Sequence, residues 1–329
     1  MLAIVAPGQG AQTPGFLAPW LELPSFAERL AAFSAVTGLD LAHYGTTADA
    51  DTIRDTAIAQ PLLVAAAITT AKELLLGAEG AAGVVAGHSV GEFAAAAIAG
   101  ALRDEDALVL VRERGRAMAE ASAIRPTSMT AVVAGDAAEV QEKIAAAGLT
   151  PANNNGSGQI VAAGTVEQLA AFAENPPARA RLVPLSVAGA FHTVHMEPAV
   201  AHLTEVASSV APTDPSVALI SNRDGQVVPG GTDYLQRLIS QVANPVRWDL
   251  CMETMRSLGI SGLLELTPAG TLTGIAKRNL KGVQVFNLNT PDQLDEAREF
   301  VAEHANANQA STNQESTNQE STNQDGTNA

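Results

Sequence analysis

Gly87-His88-Ser89-Val90-Gly91 places one hydroxyl between two glycines, directly after the apolar run Gly83-Val84-Val85-Ala86 and before the helix-forming Glu92. In a strand–turn–helix setting this pentapeptide is a nucleophile elbow: a strained turn exposes the serine oxygen, and glycines let the backbone fold that tightly. A chain with 27 glycines matches so short a pattern by chance often enough that the flanking strand and helix must carry the reading. The alternative is a tight packing turn. A serine hydroxyl is a poor nucleophile until a base takes its proton, and histidine suits that task near neutral pH.

The chain has 6 histidines. His43, in a polar loop-like stretch, and His304, beside a polar C-terminal segment, are expected on the surface. His195 and His202 fit an N-terminal turn and a solvated helix face. His88 adjoins the nucleophile but points elsewhere from the turn, as a supporting polar group. His192, in Gly189-Ala190-Phe191-His192-Thr193, lies on a glycine-containing loop, where catalytic groups tend to sit. It is the expected base. A metal pair from His192 and His195 lacks a third ligand nearby, so no metal is expected. No Asp or Glu stands out to orient the imidazole, which leaves a backbone carbonyl for that role.

Arg114 is the most informative residue outside the elbow. On a helix expected over 105–119 its neighbours at three and four residues are Leu110, Val111 and Met118, so it lies on the apolar stripe. Arg112 and Arg116 share the face of Glu113 and Glu120 and are expected in solvent. A buried guanidinium needs an anion, and its fork of N–H donors suits a carboxylate. That anion is either a structural salt-bridge partner or a group arriving with the substrate. Gly8-Gln9-Gly10-Ala11-Gln12 can supply one backbone N–H to an oxyanion hole, with Val90 supplying another. By itself the segment is equally a plain turn, and no Gly-Lys-Ser/Thr follows to make it a phosphate loop.

The elements that must hold these residues alternate. Residues 2–6 and 83–86 read as strands buried on both faces, with helices over 61–76 and 92–102, which is an α/β pattern with a mostly parallel sheet. From 128 to 186 the order becomes strand 129–134, helix 136–147, strand 151–154, strand 159–163, helix 165–175 and strand 182–186. That βαββαβ order is the ferredoxin-like arrangement. The larger pattern then resumes with helix 196–210, strand 217–221, helices 233–242 and 248–258, strand 262–266, helix 272–280, strand 283–288 and helix 292–303. The expected organisation is a large domain over 1–126 and 188–304, a small domain inserted at 127–187, and a tail at 305–329. The tail repeats Ser-Thr-Asn-Gln-Glu, a low-complexity composition with almost no apolar surface to offset ordering, so it is expected to be disordered.

At 329 residues and 47% hydrophobic, the chain can bury a sizeable core. A net charge of -16 argues against a nucleic-acid partner, because phosphate neutralisation needs a basic face. The clearest local basic patch is Lys277, Arg278 and Lys281, read either as a docking site for an acidic partner or as a solvated helix end. The first residues lack a basic signal-peptide region, and the longest later apolar run is cut by Lys72, so neither export nor membrane insertion is expected. Cys251 stands alone and reads as a buried structural thiol, which fits a reducing cytoplasm.

Taken together, Pro7-Gly8-Gln9-Gly10-Ala11-Gln12, Gly87-His88-Ser89-Val90-Gly91-Glu92, Val111-Arg112-Glu113-Arg114-Gly115 with Met118, Gln159-Ile160-Val161-Ala162-Ala163-Gly164, Phe191-His192, and Gln241 ahead of Asn244-Pro245-Val246-Arg247-Trp248 resemble malonyl-CoA:acyl carrier protein transacylases of fatty-acid and polyketide synthesis. The resemblance runs in order over residues 1–290. It implies a hydrolase-like large domain with a ferredoxin-like insertion, Ser89 as nucleophile, His192 as base, and the Gln9 and Val90 amides as oxyanion hole. It further implies Arg114 as malonyl carboxylate clamp, Gln241 offering its carbonyl to His192, and Met118, Phe191, Asn155 and His88 at the substrate. Malonyl-CoA is then the substrate and acyl carrier protein the partner bearing the phosphopantetheine thiol, with no permanently bound cofactor and a monomeric enzyme. Phe191 matches the malonyl-type form of the motif, whereas Gly189 replaces a histidine common in modular synthase domains. Two rivals stand beside it. One is an esterase with the same elbow, whose base follows the acid late in the domain rather than mid-chain. The other is an idle carrier-docking module in which the basic patch matters and Ser89 does not.

Overall fold

The computed structural model describes residues 1–305, so the expected tail lies outside the described residues except for residue 305, which closes the last helix. In chain order the elements are β1 (Leu2–Ala6), α1 (Pro24–Thr37), α2 (Leu41–Thr46), α3 (Thr56–Leu74), β2 (Val84–Gly87), α4 (Gly91–Ile98) and α5 (Asp104–Ile124). Next come β3 (Thr127–Ala134), α6 (Ala137–Ala146), β4 (Thr150–Asn154), β5 (Gln159–Thr165), α7 (Val166–Glu174) and β6 (Ala180–Pro184). The chain then forms α8 (Glu197–Ala207), β7 (Ala218–Leu219), α9 (Gly231–Gln241), β8 (Val246–Arg247), α10 (Trp248–Ser257), β9 (Gly262–Glu265), α11 (Thr271–Asn279) and β10 (Gln284–Asn287). A final helix, α12, covers 294–305.

Two sheets organise these elements. The first runs β10-β9-β1-β2-β7, with every neighbouring pair parallel. All five residues of β1 are buried, as a central strand covered on both faces requires. In such a sheet the loops leaving the strand carboxyl ends gather on one side, and both the Gly8–Gln9 turn and the Ser89 turn leave there. The second sheet runs β6-β3-β5-β4-β8; its first four strands are antiparallel neighbours, and β8 adds to β4 in parallel. That fifth strand comes from the stretch after the chain has left the second sheet. It is two residues long, too short for any alternation to announce it.

Several expected boundaries shift for local reasons. Helix α3 starts at Thr56, not 61, because Asp55 caps it by accepting from the Ala57 N–H at 2.8 Å, and Pro61 sits inside at the cost of one backbone bond. It is buried on nearly every side, between α1, α4 and α5. Helix α5 extends to Ile124, past the expected 119, with Asp104, Glu105 and Asp106 complementing its N-terminal dipole. His43 lies on the short helix α2 rather than in a loop, and is exposed as expected.

His304 corrects the surface expectation outright: it is 3% exposed. Its Nδ1 lies 2.8 Å from the Ser261 Oγ, its ring packs at a tilt against Phe300 with centroids 4.4 Å apart, and a side chain at Gly262 would overlap it. The reason is helical periodicity, since Ala297, Phe300, Val301 and His304 form one buried stripe that the polar residues beyond it disguise.

Candidate active site

The turn between β2 and α4 is built as an elbow. Ser89 adopts φ 52°, a left-handed conformation that a non-glycine residue holds only when its surroundings enforce it. A Cβ at Gly87 would collide with the Gly91 backbone, and one at Gly91 with the Ala6 carbonyl. Asn222 locks the turn from behind: its Oδ1 accepts the Ser89 N–H at 2.7 Å and its Nδ2 donates to the Gly87 carbonyl at 2.8 Å.

The Ser89 Oγ lies 2.7 Å from the His192 Nε2. On the other side of the ring, Nδ1 lies 2.8 Å from the Gln241 carbonyl oxygen. A carbonyl only accepts, so Nδ1 carries the proton and Nε2 is free to take one from Ser89. His192 is 3% exposed, and its pKa is pushed down to about 3 by burial first and by the Arg114 charge second. The imidazole therefore rests neutral, as a base must.

Around Ser89 and His192 lies a cavity of about 220 Å³, walled in part by Gln9, Val90, His88, Asn155, Met118 and Phe191. Neither the Gln9 nor the Val90 backbone N–H has a partner among the described residues, so both amides remain available. Gly8 lets the first loop close on the elbow, because a Cβ there would sit 2.9 Å from the His88 carbonyl oxygen. The His88 Nε2 and the Asn155 Oδ1 are 3.0 Å apart, which joins the elbow to the β4–β5 turn.

Arg114 is 1% exposed and lies behind Gln60 and Ser89 rather than on the cavity wall. Its Nη1 donates to the Gln60 Oε1 at 2.6 Å and its Nη2 to the Gln241 Oε1 at 2.7 Å, while Nη2 also approaches the Ser89 Oγ at 3.4 Å. The Phe93 ring covers it, with its centroid 5.7 Å from Cζ. Burial draws the guanidinium pKa down to about 9, which still leaves it charged at neutral pH. Among the described residues no carboxylate forms an ion pair with Arg114, which weakens the salt-bridge reading. Its Nε is buried and has no partner there.

Lys277 and Arg278 are exposed at the C-terminal end of α11, and Lys281 is exposed just beyond it. The N-terminal part of the same helix, at Thr271, Leu272 and Ile275, lines the cavity, and the Arg278 Nη2 donates at 3.1 Å to the Oε1 of Gln159, another wall residue. Cys251 is fully buried, and burial pushes its thiol pKa up, as an inert structural thiol requires.

Three residues here escaped sequence reasoning: Gln60, Glu92 and Asn222. Glu92 was visible as a helix former and as the last residue of the elbow motif, with no role of its own. Asn222 sits in Asn-Arg-Asp-Gly, a plain turn composition, and Gln60 precedes a proline in an otherwise apolar run.

With the geometry in place, comparison with known proteins decides the family. The acyl transferase domain matches residues 4–315. The malonyl CoA-acyl carrier protein transacylase of Mycobacterium tuberculosis is 49% identical over 298 residues, covering 90% of this chain and 99% of the relative. The chain belongs to this transacylase family. The Escherichia coli transacylase of the same name is 32% identical over 305 residues, covering 90% of this chain and 98% of the relative. Among solved structures, the Mycobacterium tuberculosis enzyme superposes with a TM-score of 0.88, covering 91% of this chain and 99% of that one. A type II PKS acyl-carrier protein in complex with its malonyl-transacylase has a transacylase chain that matches at 29% identity and TM-score 0.84, covering 91% of this chain and 99% of that one. The family match is to acyl transferases, not to esterases or to an idle docking module.

Proposed function

We propose that this acyltransferase moves the malonyl group from malonyl-CoA to the phosphopantetheine thiol of acyl carrier protein through a malonyl-serine intermediate. The observation that carries the reading is a Ser89–His192 pair at 2.7 Å with a buried, charged Arg114 reaching within 3.4 Å of the same serine oxygen. A guanidinium held there suits an acyl group that itself bears a carboxylate.

In the first half-reaction the Ser89 proton passes to the His192 Nε2 as Oγ bonds to the thioester carbonyl carbon. The Gln9 and Val90 amides hold the developing oxyanion. The C–S bond then breaks, and the coenzyme A sulfur leaves with the proton from His192. In the second half the carrier thiol gives its proton to His192, attacks the malonyl-serine ester, and Ser89 recovers its hydrogen. Coenzyme A and the phosphopantetheine thus enter with substrate and partner, and the chain needs no resident cofactor. Arg114 holds the malonyl carboxylate throughout, and Met118, Phe191, Asn155 and His88 shape the space around the acyl group.

The division into a large domain over 1–126 and 188–304 and an inserted domain over 127–187 is part of the same proposal. The antiparallel order β6-β3-β5-β4 supports a ferredoxin-like insertion on a hydrolase-like body. The exposed Lys277, Arg278 and Lys281, at and just past the end of the helix whose N-terminal part lines the cavity, support docking of an acidic carrier. We infer a monomer, and a lone buried cysteine fits a reducing cytoplasm.

The test is transfer of labelled malonyl-CoA with and without acyl carrier protein. Label should move onto the carrier while coenzyme A is released. Steady hydrolysis that ignores the carrier would overturn the assignment.

A further inference from the structure

Glu92 follows Ser89 by one helical turn and is 1% exposed, yet it is absent from the cavity wall and touches no reacting atom. Its Oε1 accepts the Asn222 backbone N–H at 2.7 Å and the Tyr234 hydroxyl at 3.3 Å. Its Oε2 accepts from the Gln241 side-chain Nε2. That amide nitrogen also donates to the Ser89 carbonyl at 2.9 Å, while the amide oxygen faces the Arg114 Nη2 at 2.7 Å.

A carboxylate accepts and never donates, and a guanidinium donates and never accepts. Gln241 lies between the two, so only one amide orientation satisfies both. Flipped, it would set its oxygen against the Glu92 oxygens and its nitrogen against the Arg114 donors, in a buried site where unpaired polar groups are costly. We propose that Glu92 is a positioning residue whose carboxylate fixes the Gln241 amide, so that Arg114 is held ready for acyl groups that carry their own carboxylate. The inference rests on the reading of Arg114 as the malonyl clamp.

Protonation should act as a natural version of the flip. Burial raises the Glu92 pKa to about 7, against hydrogen bonds from Asn222, Gln241 and Tyr234 and the charge of Arg114, which lower it. The titratable groups that face it are Arg114 from α5, Tyr234 from α9 and Cys251 from α10. Burial keeps the last two neutral at that pH, leaving Arg114 as the charged neighbour. A protonated Glu92 becomes a donor and turns the Gln241 oxygen toward itself. Malonyl transfer should therefore fall as pH drops through about 7, whereas burial and the Arg114 charge move the His192 pKa downward, away from that range.

The experiment measures kcat/KM for malonyl-CoA and acetyl-CoA, with carrier protein as acceptor, across the neutral range. In Glu92→Gln the malonyl value should fall about tenfold or more relative to acetyl, mainly through KM, and the acidic limb should flatten. Tyr234→Phe removes a donor from the ionised carboxylate, so its limb should move to higher pH. If Glu92→Gln does not fold, the Tyr234→Phe limb decides. Equal losses for both acyl groups in Glu92→Gln, or a limb unmoved in Tyr234→Phe, would overturn the proposal. Arg114→Ala separates the two ideas. If it spares acetyl transfer while Glu92→Gln does not discriminate, only the role of Glu92 fails; if it lowers both equally, the clamp and this inference fall together.

Discussion

The cavity has a floor rich in buried charged and hydrogen-bonded groups and a wall that carries no charge. The floor comes from loops at the carboxyl ends of the parallel sheet and from α5 and α9. Behind Ser89 and His192 it buries Arg114, Glu92, Asn222 and Gln241 in mutual hydrogen bonds. The wall facing it comes from the second sheet and the chain leaving it, and is mainly apolar, through Met129, Ala131, Val161, Leu185 and Val187, with Asn153, Asn155 and Gln159 as its uncharged polar members. The His88–Asn155 contact is a polar link between the two. Charge that appears during acyl transfer is met where polar groups are fixed and water is scarce, so they need not reorganise at the moment of reaction. Shape is met where side chains differ by methyl groups and each is worth little.

Changes to the floor should therefore cost far more than changes to the wall. His192→Ala should lower kcat by about 10⁴-fold or more, as removal of one member of a serine–base unit does, while thermal unfolding confirms a folded chain. Arg114→Ala should lower malonyl kcat/KM by about 100-fold and acetyl kcat/KM by a small factor, as expected for losing one partner of a buried ion pair. Val161→Ala should raise KM by less than about tenfold and relax the preference against bulkier acyl groups. A wall substitution as damaging as His192→Ala would erase the distinction. The smallest effect belongs outside both regions. Lys277→Glu with Arg278→Glu should raise KM for carrier protein a few-fold at low salt, with the effect shrinking at high salt and malonyl-CoA kinetics unchanged.

The floor was partly legible in the sequence. Ser89 and His192 stand in short local patterns, and Arg114 betrays itself by lying on an apolar helical stripe, so each carries its own signal. Their supporting residues do not. Asn222 reaches the Ser89 amide across 133 positions of chain and Gln241 reaches Arg114 across 127, and nothing local to either says so. Glu92 stood in plain view after the elbow, but a glutamate opening a helix is unremarkable until its burial is known. The alternation of strands and helices announced both sheets, since burial on two faces and the switch of rhythm after 127 are written in the residue types. Strand β8 was not legible, because two residues have no period. His304 was misread because the polar segment beside it hid the stripe it completes.

The central claim, that malonyl is carried on Ser89, is tested most directly by peptide mass spectrometry of the protein after incubation with malonyl-CoA. A malonyl mass is expected on the peptide containing Ser89, lost when acyl carrier protein is added and absent from Ser89→Ala. A malonyl adduct that persists in Ser89→Ala, or that maps to another residue, would contradict it.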